Sequence, residues 1–213
     1  PVPDTPTASR MAFTTADVVR IDHFRGFYNC WQVPHGETTA VKGKWVKGPG
    51  ARLFRAVTQA LGEMAIIAED LGDFDKESRA GVTALQEEFG CPGMKVLQFA
   101  FGTDSHAPFL PHNFTRDWIV YTSTHDSNTF VGWYRDDAPE RVRDYLRRYV
   151  ARDGSDVAWD MIRLAWSSVA HTAMTTAQDL LSLDGSARMN SPSIASGNWQ
   201  WRMLPGALND SIA

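Results

Sequence analysis

Three short apolar runs in this chain each stop abruptly on acidic side chains, with helix-length stretches between them. The first, Ala16-Asp-Val-Val-Arg-Ile-Asp-His-Phe-Arg-Gly-Phe27, places Arg20, Asp22, His23 and Arg25 among Val18, Val19 and Ile21. The second, Ala65-Ile-Ile-Ala-Glu-Asp-Leu-Gly72, closes on Glu69 and Asp70, and the third, Trp118-Ile-Val-Tyr-Thr-Ser-Thr-His-Asp126, closes on His125 and Asp126. One charged strand end is as readily a structural Arg–Asp pair as a site, because ionisable groups are costly to desolvate unless they pair or bind something. Three such ends in βα-type units are the pattern of a parallel barrel, whose chemistry sits at the carboxyl ends of its strands.

Composition narrows the ligand. With 43% hydrophobic and 22% charged residues the chain falls in no disordered class, and its net charge of −4 argues against nucleic acid or an anionic membrane as partner. A neutral ligand fits better. Two cysteines, Cys30 and Cys91, form neither a disulfide framework nor metal-ligand spacing, and no signal-peptide or membrane-span pattern is present, so a cytoplasmic setting is expected. Eight tryptophans and eleven phenylalanines exceed what a core of this size needs. Sugar faces stack on such rings, although most will serve packing.

Taken in order, residues 1–15 hold three prolines without periodicity and read as an irregular segment, leaving 16–213 as one α/β unit. Gly26 to Gly50, with Trp31 and Trp45, reads as a long loop. Leu53, Val57, Leu61 and Met64 recur at helical spacing. Asp75 caps a second helix with Val82, Leu85 and Phe89 on one face, stopped by Gly90 and Pro92. Lys95 to Phe101 reads as a strand, and Gly102 to Trp118 as a polar loop whose His106 and His112 match no metal-ligand spacing. Asp136 or Asp137 caps a helix burying Val142, Tyr145, Leu146 and Tyr149, with Arg141, Arg143, Arg147 and Arg148 solvated. Asp156 starts another helix with Trp159, Ile162, Trp166 and Val169 inward. Thr172 to Gln178 reads as a fifth strand, and Gly185 to Trp201 as a loop rich in rings and amides.

Longer motifs then carry a resemblance. Arg20-Ile-Asp-His-Phe-Arg-Gly-Phe27, Ile66-Ile-Ala-Glu-Asp-Leu-Gly72, Pro92-Gly-Met-Lys-Val-Leu-Gln-Phe-Ala-Phe-Gly102, Leu110-Pro-His-Asn113, Tyr121-Thr-Ser-Thr-His-Asp126, Ala187-Arg-Met-Asn190 and Gly197-Asn-Trp-Gln-Trp-Arg202 resemble those of the 4-α-glucanotransferases, also called amylomaltases or disproportionating enzymes, of glycoside hydrolase family 77. The resemblance implies the C-terminal part, about strands four to eight, of a (β/α)8 TIM barrel of the α-amylase clan. It also implies α-1,4-glucans and maltooligosaccharides as substrates, no cofactor and no metal, and a need for the barrel's N-terminal half. By the same likeness Asp22 is the nucleophile, Glu69 the acid/base and Asp126 the transition-state stabiliser. Arg20, His125, Asn113, Asn190 and Trp199 are substrate-binding.

Two departures stand out. Asp126-Ser127-Asn128-Thr129 replaces the family's usual Asp-Asn-Asp-Thr, and the proline-rich opening stands where a helix is expected before barrel strand four.

The implied retaining chemistry needs two carboxyl groups about 5–5.5 Å apart. Adjacent parallel strands lie about 4.8 Å apart, so like-placed ends would supply that distance. Arg20, two residues before Asp22, points to the same side of the strand and is expected to keep Asp22 ionised. Glu69 is expected to be held protonated by burial and acidic neighbours such as Asp70. The loops Gly102 to Trp118 and Gly185 to Trp201 are the expected wall against water. The rival expectations are an inactive fragment with at most weak glucan binding, and an amylase-like hydrolase.

Overall fold

The computed structural model describes residues 5–212 and divides the chain into two compact units, one ending at Met94 and one beginning at Lys95. The sequence pattern predicts a single α/β unit over residues 16–213.

The first unit opens with a helix, α1 (Thr5–Thr15), where the sequence predicts an irregular segment. Pro6 sits in its first turn, where a missing N–H costs nothing, and Phe13 packs against a buried cluster containing Phe24, Phe54 and Val82. Tertiary burial decides a helix whose sequence has weak periodicity. Strand β1 (Val19–Ile21) pairs in parallel with β4 (Ile66–Ala68), in the register Val19–Ile66, Arg20–Ile67 and Ile21–Ala68. Val18, expected in the strand, lies outside it and is exposed.

The stretch expected as a long loop contains an antiparallel pair, β2 (Asn29–Gln32) and β3 (Lys44–Lys47), that sets Trp31 opposite Trp45 with ring centroids 5.4 Å apart. No two-residue turn joins them, so the local hairpin signal is missing. The Arg25 guanidinium lies 4.0 Å from the Trp45 ring while donating to Asn29 Oδ1 and the Asp73 carbonyl, which ties the pair to the unit.

Helix α2 (Ala51–Leu61) buries Phe54 and Val57. Helix α3 (Lys76–Phe89) is as predicted: Asp75 accepts the Ser78 N–H at 2.8 Å, Val82 and Leu85 are buried, and Gly90 closes it at φ 61°. Mid-helix Gly81 permits close approach, since a Cβ there would lie 2.0 Å from Tyr28 Cε2.

Strand β5 (Gly93–Val96) spans the boundary between the units, and its later residues open the second. The predicted strand Lys95 to Phe101 is corrected: the chain leaves extended geometry at Leu97 and enters a 3₁₀ turn, Leu97–Phe99. Leu97, Ala100 and Phe101 are all buried, a helical rather than alternating spacing.

Strands β5, β6 (Trp118–Tyr121) and β7 (Thr172–Met174) form a sheet in that order, with β6 and β7 parallel and Tyr121 opposite Met174. The predicted strand to Gln178 ends early because Thr176 caps a short helix, α7 (Ala177–Leu180), by accepting the Asp179 N–H. After β6 come α4 (Phe130–Gly132) and a π-helical turn, Trp133–Asp137, closed by Ala138 N–H to the Trp133 carbonyl.

That turn absorbs Asp136 and Asp137, so Pro139 rather than either aspartate precedes α5 (Glu140–Val150). Val142 and Leu146 are buried as expected, whereas Arg143 and Arg147 bind Glu140 instead of lying free in solvent. In α6 (Val157–Trp166) the buried face is Val157, Ala158, Met161, Ile162 and Ala165. Trp166 and Val169, expected inward, are each 56% exposed. The unit's core gathers Leu97, Phe101, Leu110, Phe130, Leu146 and Met161.

Candidate functional site

In the first unit the sequence-predicted residues meet at the carboxyl ends of β1 and β4. The parallel register runs Arg20–Ile67 and Ile21–Ala68, so Asp22 and Glu69 are the next residues on the two neighbouring strands. Glu69 N–H donates to the Ile21 carbonyl and Phe24 N–H to the Glu69 carbonyl, both at 2.9 Å, which carries the ladder past the last strand residues. Arg20 Nη2 lies 2.5 Å from Asp22 Oδ1, as their i, i+2 spacing predicts. Asp22 is exposed and Arg20 half-buried.

The setting expected for Glu69 is corrected. Its carboxyl group is half-buried and accepts two backbone donors, His23 N–H on Oε2 at 2.7 Å and Leu71 N–H on Oε1 at 2.8 Å. Asp70, expected as a neighbouring negative charge, turns away: it is 5% exposed, accepts Met94 N–H at 2.9 Å and pairs with Arg79. His23 holds φ 51°, a left-handed backbone uncommon outside glycine, and in that geometry its N–H faces the Glu69 carboxylate.

In the second unit His125 and Asp126 sit in the loop after β6, with His125 Nε2 3.2 Å from Asp126 Oδ2. Asn190 Nδ2 donates to Asp126 Oδ1 at 2.6 Å, and Asn190 N–H donates to the His125 carbonyl. Trp199 stacks on His125, ring centroids 5.4 Å apart at 29°, and holds φ 63° while its N–H bonds the Met189 carbonyl. Four predicted residues therefore form one constellation: His125, Asp126, Asn190 and Trp199.

Asn113 does not join it, because its Nδ2 donates to the carbonyls of Ser105 and Ala107 and so pins its own loop. His112 also bonds within the unit, to Tyr149 Oη and the Ser105 carbonyl. Ala107, Leu110 and Phe114 anchor that loop in the core.

Arg188, not singled out from the sequence, donates to the Asp126 and Asn190 carbonyls at 2.9 and 2.8 Å. Its place inside the Ala187-Arg-Met-Asn190 motif was the available signal. At the departure from the family pattern, Ser127 Oγ accepts Thr124 N–H, and Asn128 Nδ2 donates to Asp137 Oδ2 at 3.0 Å. Asn128 Oδ1 has no hydrogen-bond partner among the described residues.

Parallel strands whose carboxyl ends present an Arg-paired aspartate beside a glutamate mark the first unit as α/β, and the second presents a His–Asp pair under an indole. The profile of the 4-alpha-glucanotransferase family, glycoside hydrolase family 77, matches residues 7–208, and the chain belongs to that family. It is 48% identical over 204 residues to a 4-alpha-glucanotransferase of Streptococcus pneumoniae, covering 95% of this chain and 40% of that protein. Against the 4-alpha-glucanotransferase of Thermus thermophilus the identity is 46% over 200 residues, covering 90% of this chain and 39% of that protein. Among solved structures, the amylomaltase of Streptococcus agalactiae in complex with acarbose superposes with a TM-score of 0.89 at 33% identity, covering 98% of this chain and 41% of that one. The chain thus spans about 40% of the length of the curated relatives it matches.

Proposed function

We propose that this chain carries the catalytic carboxylates of a 4-alpha-glucanotransferase that moves α-1,4-glucan segments between maltooligosaccharides with retention of configuration. In this reading β1 and β4 to β7 are strands four to eight of a (β/α)8 barrel, and its N-terminal half comes from further polypeptide. The observation that carries the reading is the β1–β4 register, which makes Asp22 and Glu69 successive carboxyl-end residues of adjacent parallel strands.

Asp22 attacks the anomeric carbon while the bond to the leaving glucan oxygen breaks and Glu69 delivers that oxygen a proton. The ionised Glu69 then takes a proton from the acceptor's hydroxyl, whose oxygen displaces Asp22 from the sugar. Arg20, bound to Asp22, offsets its charge, and Asp126 with His125 grips sugar hydroxyls beside the Trp199 ring. Asn190 holds Asp126 and so shapes that grip, whereas Asn113 contributes by fixing its loop. The binding of acarbose by the Streptococcus agalactiae protein supports an oligosaccharide-shaped cleft. The chemistry calls on no cofactor or metal, and a cytoplasmic setting, resting on composition alone, belongs to the same proposal.

The test supplies this chain with the N-terminal part of a family member and maltotriose, followed by chromatography. Glucose together with maltodextrins longer than maltotriose is the expected result. Products no longer than the substrate would turn the reading to a hydrolase, and no turnover at all would sink it.

A further inference from the structure

The loop that carries His125 and Asp126 is tied at both ends to one buried carboxylate. Asp179, in the first turn of α7, has no solvent exposure. Its Oδ2 accepts the hydroxyls of Thr122 at 2.7 Å and Ser123 at 2.5 Å, at the loop's entrance. Its Oδ1 accepts the backbone N–H of Phe130 at 2.7 Å, the first residue of α4 at the loop's exit.

A carboxylate this deep is costly to desolvate unless hydrogen bonds replace the lost water, and three donors do so here. The arrangement also sets the span between the loop's two ends. We propose that Asp179 is the positioning residue of the His125–Asp126 loop: by holding both ends, it fixes where these two side chains stand. What the side chains do there rests on the functional reading above, but the tie itself does not.

The stack of Trp199 on His125 provides a reporter. Indole N–H resonances of the 213-residue chain are recorded by NMR, with the Trp199 signal assigned through Trp199→Phe and Trp159 and Trp166 of α6 serving as controls. Asp179→Ala is expected to shift Trp199 and leave both controls in place. Asp179→Asn should restore the Trp199 position. Its amide oxygen can accept the Phe130 N–H, its amide nitrogen can donate to the Thr122 and Ser123 oxygens, and these hydroxyls can turn to Thr175 and Thr176, 3.1 and 3.2 Å away.

If Asp179→Ala disturbs the controls as well, the triple variant Asp179→Leu, Thr122→Val, Ser123→Ala decides. It replaces the entrance partners by apolar groups, leaves the Phe130 N–H at the exit unbonded, and is expected to keep the controls while Trp199 moves. An unmoved Trp199 in whichever of these variants keeps its controls overturns the proposal. So does a shift in Asp179→Asn as large as in Asp179→Ala, or loss of the controls in both the alanine and triple variants, which would make Asp179 a support of the whole unit. No sugar enters the experiment, so failure of glucan transfer would sink the functional reading alone.

Discussion

Asp22 and Glu69 are close in chemistry and different in surroundings. Asp22 is exposed and held by one guanidinium, whereas each oxygen of Glu69 accepts a backbone N–H. In the complemented enzyme, Asp22→Asn is expected to abolish the covalent glycosyl intermediate and lower transfer by several orders of magnitude, because an amide cannot form the ester. Wild-type-like turnover would remove Asp22 from the nucleophile's role. Glu69→Gln should slow transfer from maltotriose by about 10²–10⁴-fold, the usual contribution of a positioned acid, while still reacting with a glucosyl donor whose leaving group needs no proton. Equal loss on both donors would argue against the acid role. Motif and strand-end pattern pointed to both residues, but one of the two donors on Glu69, the His23 N–H, comes from a left-handed turn that the motif does not announce.

At the scale of elements, α3 offers two measurable consequences. Gly81→Ala should destabilise the protein although alanine is the better helix former: the new Cβ meets the Tyr28 ring, and overpacking of this kind costs about 1–3 kcal/mol against a propensity gain of about 1 kcal/mol. Urea midpoints check this, and adding Tyr28→Ala should remove the penalty of Gly81→Ala. A double variant that sums the two losses would show that the ring is not the cause. The cap Asp75 has a lowered carboxyl pKa, owing first to the Ser78 N–H and then to the Ser78 hydroxyl. With the folded value below the unfolded one, its stabilisation is complete above the ordinary aspartate value of about 3.9 and is lost as pH falls through the folded value. Asp75→Ala should therefore melt below wild type at neutral pH, and the gap in Tm should close in acid. A gap independent of pH would mean that charge plays no part in the cap.

At the scale of the whole molecule, the chain matches about 40% of its relatives' length while holding all three carboxylates that the reading assigns to catalysis. Catalytic geometry of this kind must be held within about half an ångström by rigid neighbours, and strand edges without partners invite association. The isolated 213-residue chain is expected to produce neither glucose nor longer maltodextrins from maltotriose, and co-expression of a family N-terminal part should restore both products. Robust disproportionation by the isolated chain, followed by chromatography, would overturn that expectation.

The sequence by itself determined the parallel strand ends, the helix bounded by Asp75 and Gly90, and the family, because these depend on local patterns: an apolar run, a cap, a motif. It also contained the spacing of Leu97, Ala100 and Phe101 that ends β5 early, although β-propensity masked it. Tertiary structure alone decided α1, whose Phe13 is fixed by a core built from distant residues, and the β2–β3 pairing across a connection with no turn signature. It decided too that Asp70 faces Met94 and Arg79 rather than Glu69, that Arg188 and Asn190 reach Asp126, and that Asp179 holds both ends of its loop. Each of these joins residues far apart in the chain, and which donor a buried carboxylate receives depends on packing that residue order does not encode locally.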